Sequence, residues 1–364
     1  MSVQADALRL PLGDETVDLV CTSPPYFALR SYRDGDEHFD GQLGSEATPG
    51  EFLDALIAAT REMVRVLKPS GSIFLNLGDK YAGSGGHNND GISSKSTLRG
   101  GGGPKYPTGK IKATRRSAPD RYNQASDGIP AKSLMLLPHR YAIRCVDELG
   151  LIVRQDNVWH KLNGLPESVT DRTRRSHEYI FHFTKQRRYF AAMDEIREEH
   201  LTKESPNAKR GPSGQNRGTA TGRTHDDGSP VSNFNQLPTG RLPGSVWSIP
   251  SEPLKVPPEF VEHFAAFPSE IPRRCIEGWC PKGGVVADPF GGTGTTAMVA
   301  RALGRIGLSF DLSMDYAKLA RYRIYESGDW AKLFGAKPKR EASGQRDLFD
   351  QDLPDVETTR SELL

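Results

Sequence analysis

Two short segments of this 364-residue chain carry residue types and spacings that could do chemistry. The first is Thr22-Ser23-Pro24-Pro25-Tyr26. Two consecutive prolines stiffen the backbone after Ser23, so the serine hydroxyl and nearby carbonyls are held in fixed directions, while Tyr26 offers a flat ring for stacking. These are the parts needed to hold a planar, amino-bearing base. An exocyclic amine is a poor nucleophile because its lone pair is delocalised into the ring. Acceptors placed at its hydrogens pull the nitrogen toward tetrahedral geometry and free that pair for attack on a sulfonium methyl group. Neither a metal nor a covalent nucleophile is needed. The plainer alternative is a Pro-Pro turn with a core tyrosine.

The second segment is Asp288-Pro289-Phe290-Gly291-Gly292-Thr293-Gly294-Thr295-Thr296. Its glycines let the backbone turn tightly between a strand and a helix, and let a ligand approach the helix N-terminus. A phosphate-binding loop would need Gly-Lys-Ser/Thr, and the missing lysine disfavours ATP or GTP. Asp311 follows Asp288 at close to the ~20-residue offset at which a carboxylate meets ribose hydroxyls. An adenosine-containing cofactor without a pyrophosphate fits this pair. The alternative for Asp311 is a cap for a helix starting near Asp315.

Both segments need elements to hold them. Residues 17–21 form a short apolar run suited to a buried strand, and the prolines must stop it, which sets the first segment at a strand's carboxyl end. Thr48 and Glu51 have capping-box spacing around Pro49, and Leu53, Leu56, Ile57, Thr60, Val64 and Leu67 follow at helical intervals up to Lys68-Pro69. Residues 72–77 read as the next buried strand. The result is a strand, helix, strand unit of the parallel α/β kind. A second unit is predicted from about 134 through a helix ending at Gly150 into a strand at 151–159. A third has a strand at 284–287, the glycine-rich turn, a helix at 295–303 stopped by Gly304, and a strand at 307–310.

Charge is arranged by region. The 48 Lys and Arg against 46 Asp and Glu give a net charge of only +2, which alone argues against a nucleic-acid partner. Residues 1–81 and the tail at 341–364 are acidic, whereas 82–133, 153–190 and 203–245 are basic. The stretch 82–133 includes Gly100 to Gly103 and cannot be a regular helix. It is expected to be a long basic loop suited to a polyanion, with a solvated insert as the alternative. Residues 200–252 lack clear periodicity and are expected to be an insertion, and 336–364 a disordered acidic tail. No run approaches the ~18 apolar residues of a spanning helix, and the N-terminus lacks a signal-peptide pattern. A cytoplasmic protein is expected, with Cys21, Cys145, Cys275 and Cys280 reduced and no Cys-x-x-Cys pair to suggest zinc.

The two segments together resemble the motifs of the DNA amino-methyltransferases that use S-adenosylmethionine. Residues 22–26 look like their catalytic motif and 288–296 like their cofactor loop. The order, catalytic motif first, is that of the family's permuted β group. Leu67-Lys68-Pro69-x-Gly71, the blocks at 159–166 and 263–268, and His177-Glu178-Tyr179 resemble further family blocks in the expected order. The resemblance spans about residues 6–325.

It implies an α/β fold: a Rossmann-like class I methyltransferase sheet, circularly permuted, built from 1–190 and 253–335, with 191–252 as target-recognition insert. It implies that Ser23, Pro24, Pro25 and Tyr26 hold and activate a flipped base. Asp288, Phe290, Gly292 and Gly294 would line the methionine end of the cofactor, Asp311 would bind its ribose, Phe267 and Pro268 would wall the pocket, and Asp6 would lie near the adenine. Ser-Pro-Pro-Tyr is typical of cytosine-N4 members and Asp- or Asn-Pro-Pro-Tyr of adenine-N6 members. Cytosine N4 is therefore the expected target, with adenine N6 and a catalytically silent DNA-binding relative as alternatives. Cys21 departs from the pattern, since an aliphatic residue commonly precedes the threonine. Carbon-5 methylation is disfavoured because no Pro-Cys dipeptide occurs.

The implied partner is double-stranded DNA, whose target base must be rotated out at a cost of a few kcal/mol. Lys105, Lys110, Lys112, Arg115, Arg116, Lys161, Arg172, Arg174 and Arg175 are expected near its phosphates. Lys209, Arg210, Arg217, Arg223 and Arg241 are expected to read its sequence. A homodimer, a separately acting restriction endonuclease and association with the nucleoid are further expectations; a metal is not.

Overall fold

The computed structural model describes residues 1–27, 42–82, 127–198, 240–258, 260 and 267–334, apart from 165, 168 and 255, and the backbone of two short strands between 33 and 38. In chain order the strands are β1 (Ser2–Gln4), β2 (Val17–Thr22), β3 (Arg33–Asp34), β4 (Glu37–His38), β5 (Leu67–Leu77), β6 (Ile152–Lys161), β7 (His177–Thr184), β8 (Val246–Ile249), β9 (Val285–Asp288) and β10 (Ile306–Asp311). The helices are α1 (Pro49–Val66), α2 (Leu137–Leu149), α3 (Glu270–Trp279), α4 (Thr295–Ala302) and α5 (Met314–Tyr325).

All six residues of β2 are buried, as a strand covered on both faces requires. It sits mid-sheet in the order β1-β10-β9-β2-β5-β7-β6-β8, with β3 and β4 forming a separate hairpin. Pairing is parallel from β1 through β5, and β7 runs antiparallel to both β5 and β6. Side chains alternate between two cores. Ile73, Leu75 and Leu77 of β5 pack with α1 and α2, and Phe74 packs on the opposite face with α3 and α4. There Phe74 stacks on His182 at 4.2 Å between ring centroids, and burial lowers that imidazole's pKa to about 3, so it stays neutral. Chain order reverses between β9 and β2, and the carboxyl ends of these neighbours form the crevice in which such sheets bind ligands.

The three predicted units are present. The strand expected at 72–77 starts earlier, at Leu67, because Lys68 Nζ reaches Asp18 Oδ1 at 2.9 Å and holds the segment against β2 despite Pro69. A register shift between Val17 and Leu19 absorbs the irregularity. Strand β8 lies inside the stretch expected to be an insertion, yet it pairs with β6 and extends the main sheet. All four cysteines are buried and free. Among the described residues no helix is long and apolar enough to cross a membrane.

Helix α1 begins as its sequence predicts. Thr48 Oγ1 accepts from Glu51 N at 3.1 Å, and Glu51 Oε2 accepts from Thr48 N at 3.2 Å. Replacing Thr48 with Ala leaves the Glu51 N–H without its side-chain acceptor and should lower stability by about 1 kcal/mol, read as a lower urea midpoint with an unchanged slope.

Candidate active site

Asp288 ends β9 with 1% of its surface exposed. Its Oδ1 accepts from Thr22 Oγ1 at 2.6 Å and from Phe290 N at 3.1 Å, and its Oδ2 accepts from Thr296 Oγ1 at 2.8 Å. Burial raises the carboxyl pKa to about 6, although each of these hydrogen bonds favours the charged form. The group thus ties the end of β2 to the first turn of α4. It lies inside the glycine-rich turn and holds that turn's shape.

The rest of the turn is fixed from below and from the side. Gly294 has φ +74°, and a Cβ there would lie 2.7 Å from Ala320 Cβ on α5; one at Gly291 would lie 2.0 Å from Ser309 Oγ on β10. No side chain fits between the turn and those elements. Arg323 Nη1 donates to Thr293 O, Thr293 Oγ1 and Thr295 Oγ1 at 2.9, 2.7 and 2.9 Å. Asp311 accepts from Gly292 N through Oδ2 and from Ser313 N through Oδ1, both at 2.9 Å. The side-chain cap of α5 comes from Ser313, whose Oγ accepts from Tyr316 N. Asp6 is brought to the same edge, since its neighbour Ala5 donates through its N–H to Asp311 O at 2.9 Å.

The other half of the site starts one residue beyond Thr22. Ser23 is half-buried, Pro24 is buried and Tyr26 is half-buried. The Tyr26 hydroxyl donates to Glu178 Oε2 at 2.7 Å and accepts from Asn76 Nδ2 at 2.8 Å. The same amide reaches Glu178 Oε2 at 3.0 Å and Ser23 Oγ at 3.4 Å. Lys161 Nζ forms an ion pair with Glu178 Oε1 and lies 4.5 Å from the centre of the Trp159 ring. Sequence reasoning missed Asn76, and it assigned Glu178 no role. The legible sign of Asn76 was an amide within an otherwise apolar buried strand; that of Glu178 was a carboxylate on a strand whose later residues are buried.

The predicted site residues divide accordingly. Ser23, Pro24, Pro25 and Tyr26 follow directly on Thr22, which bonds Asp288 of the 288–296 turn, and Asp311 bonds Gly292 within that turn. Phe267 and Pro268 lie just ahead of α3, where Phe267 packs against the core of that face. Lys161, expected near phosphate, points inward to Glu178. Arg175 Nη1 lies 3.6 Å from Asp79 Oδ2, Arg172 pairs with Glu167 at 2.8 Å and covers the Tyr81 ring, and Arg241 pairs with Glu198 at 2.6 Å. Arg174 is exposed and donates to Gly164 O at 2.9 Å. Lys105, Lys110, Lys112, Arg115, Arg116, Lys209, Arg210, Arg217 and Arg223 lie outside the described residues.

A family model described as DNA methylase, of the N6 and N4 class, matches residues 17–322. The Type II methyltransferase M.SmaI of Serratia marcescens is 32% identical over 313 residues, 86% of each chain. M.XycI of Xanthomonas campestris pv. cyanopsidis is 33% identical over 325 residues, 88% of this chain and 86% of its own. Among solved structures, one described as PvuII DNA methyltransferase (cytosine-N4-specific) has a TM-score of 0.55 at 18% identity, covering 91% of this chain and 89% of its own. That likeness is one of fold.

The glycine-rich turn yields a direct test. Gly294→Ala meets both a positive φ and the Ala320 contact, so it should cost more than about 1 kcal/mol in urea denaturation. It should also weaken S-adenosylmethionine binding in calorimetry more than a Gly283→Ala control, whose added Cβ meets nothing within 4 Å.

Proposed function

The chain belongs to the DNA methylase family, and from that premise we propose that it transfers the methyl group of S-adenosylmethionine to N4 of a cytosine rotated out of double-stranded DNA. The observation that carries this reading is the 2.6 Å bond from Thr22 Oγ1 to Asp288 Oδ1. It couples a turn suited to hold an amino-bearing base to a turn suited to hold an adenosine cofactor.

The residues of the second turn fit S-adenosylmethionine. With Gly291 and Gly294 pressed onto Ser309 and Ala320, the turn offers backbone N–H groups at the start of α4 and little side chain in a ligand's way. Phe290, Gly292 and Gly294 would hold the methionine end, Asp311 the ribose hydroxyls and Asp6 the adenine side, with Phe267 and Pro268 as wall. Asp288 acts by keeping this cradle in shape. When bound, the cofactor supplies a methyl group on a sulfonium centre. The chain supplies the geometry of the acceptor. Tyr26 stacks on the extruded base, and Ser23 Oγ and the carbonyls beside Pro24 and Pro25 accept the amine hydrogens. The nitrogen lone pair is thereby released from the ring, and after transfer the nitrogen loses one proton.

Serine at the head of this turn favours cytosine N4, as does the description of the PvuII enzyme. Residues 83–126 and 199–239 lie outside the described residues; in this reading they grip and read DNA, with Arg174 at the described edge. A cognate endonuclease in a Type II system, a homodimer and a place at the nucleoid belong to the same proposal.

Expression in cells lacking other methylases, followed by sequencing of modified bases, should show N4-methylcytosine in one short motif; N6-methyladenine alone would overturn the choice of target. Arg174→Ala should weaken DNA binding about equally for all sequences and reduce the slope of log affinity against log salt by about 1. An unchanged slope would remove Arg174 from the phosphate contacts.

A further inference from the structure

We propose that Glu178 is the positioning residue for Tyr26, fixing the ring's plane before the base arrives. The inference rests on the reading of Tyr26 as the stacking surface for the target base. Three neighbouring strands converge on one phenol. In the sheet, Trp159 of β6 stands opposite Glu178 of β7, and Leu77 of β5 stands opposite Tyr179, which sets Gly78 beside Glu178. A Cβ on Gly78 would fall 2.6 Å from Tyr26 Cε2, so the ring lies directly on that backbone. The hydroxyl is held from two sides, donating to Glu178 and accepting from Asn76.

A ring resting on a glycine and bonded twice at its tip has little freedom to turn. Glu178 is itself fixed, because its other oxygen is paired with Lys161, and the two side chains keep only 14% and 26% exposure. A carboxylate this far out of water holds its geometry more firmly than a surface ion pair does. Lys161 is in turn seated over Trp159. The charge expected to meet phosphate thus serves to aim an aromatic ring. Holding the stacking surface in advance lowers the ordering that base capture requires, and a misplacement of about 1 Å at such a site can cost on the order of 10²-fold in rate.

The test is a double-variant cycle on the full-length chain, with unmethylated genomic DNA and tritium-labelled S-adenosylmethionine. Glu178→Asp keeps the charge that Lys161 needs but withdraws the acceptor from the phenol, and Tyr26→Phe removes the phenol but keeps the ring. Each should lower kcat at least about 10-fold while the KM for the cofactor stays within about twofold. The double variant should be no slower than the slower single variant, because both changes break the same link. Glu178→Gln, which still offers an oxygen to the phenol but gives up the pairing with Lys161, should recover part of the loss relative to Glu178→Asp. Full activity of Glu178→Asp, losses that multiply in the double variant, or an effect confined to the cofactor KM would each overturn the assignment. If the wild-type chain itself transfers no label to DNA, the underlying functional reading fails instead.

Discussion

A carboxylate that has lost nearly all its water must find its hydrogen bonds inside the protein, and Asp288 finds them in the two places the site must join. One oxygen takes the hydroxyl of Thr22 at the end of β2 and the N–H of Phe290, and the other takes the hydroxyl of Thr296 in the first turn of α4. The Ser-Pro-Pro-Tyr turn and the glycine-rich turn are therefore tied together by one side chain. Residues 266 positions apart in sequence are brought to 2.6 Å. Because folding raises this pKa to about 6, the group's contribution to stability is largest below the usual carboxylate range and is lost as pH rises through about 6. At neutral pH the fold carries a buried charge that three donors only partly compensate, as expected where geometry serves a site.

Much of this frame was legible in the sequence, and for local reasons. Proline pairs and glycine runs act on their own backbone, so the ends of β2 and β9 could be placed without knowing what surrounds them. The Thr48 and Glu51 cap is equally local. What escaped was set by contacts distant in sequence. Strand β8 is only four residues long, with alternating burial, and it becomes a strand because β6 offers it an edge. The eight residues of β7 owe their place to lying between β5 and β6, antiparallel to both. Asn76 and Glu178 have meaning only once those strands are side by side.

The regional charges show the same limit. A basic residue in a basic stretch was expected to face a polyanion, but sequence gives charge without direction. In the described part of these stretches Lys161, Arg172, Arg175 and Arg241 each meet a carboxylate of this chain. Arg175 meets Asp79, whose carboxylate accepts from the N–H groups of Leu136 and Leu137 at the start of α2. Of these cations Lys161 reaches the site, through Glu178 and Tyr26. Regional counting therefore overstates the charge open to a partner in the described part, where Arg154, Arg174, Arg187 and Arg188 are the exposed arginines of 153–190.

The two halves of the site are built by different means, and under the proposed function the difference follows from what each would hold. A cofactor of constant shape can be met by backbone, so its side is a turn of glycines clamped by Arg323, Asp311 and the floor of α5, with the side-chain bonds directed into the turn. A base that must leave a duplex arrives from outside and needs a flat face already aimed at it. Backbone cannot supply an aromatic plane, so that side uses a side chain, and a side chain stays still only if others hold it. The Tyr26 ring is accordingly braced by Gly78 beneath it and by Asn76 and Glu178 at its tip. The two halves meet at the end of β2, where Thr22 Oγ1 donates to Asp288 and Cys21 O accepts from Thr296 Oγ1 at 3.2 Å. Any shift there would move the Ser-Pro-Pro-Tyr turn relative to the glycine-rich turn, and the buried Asp288 carboxylate holds the two in place.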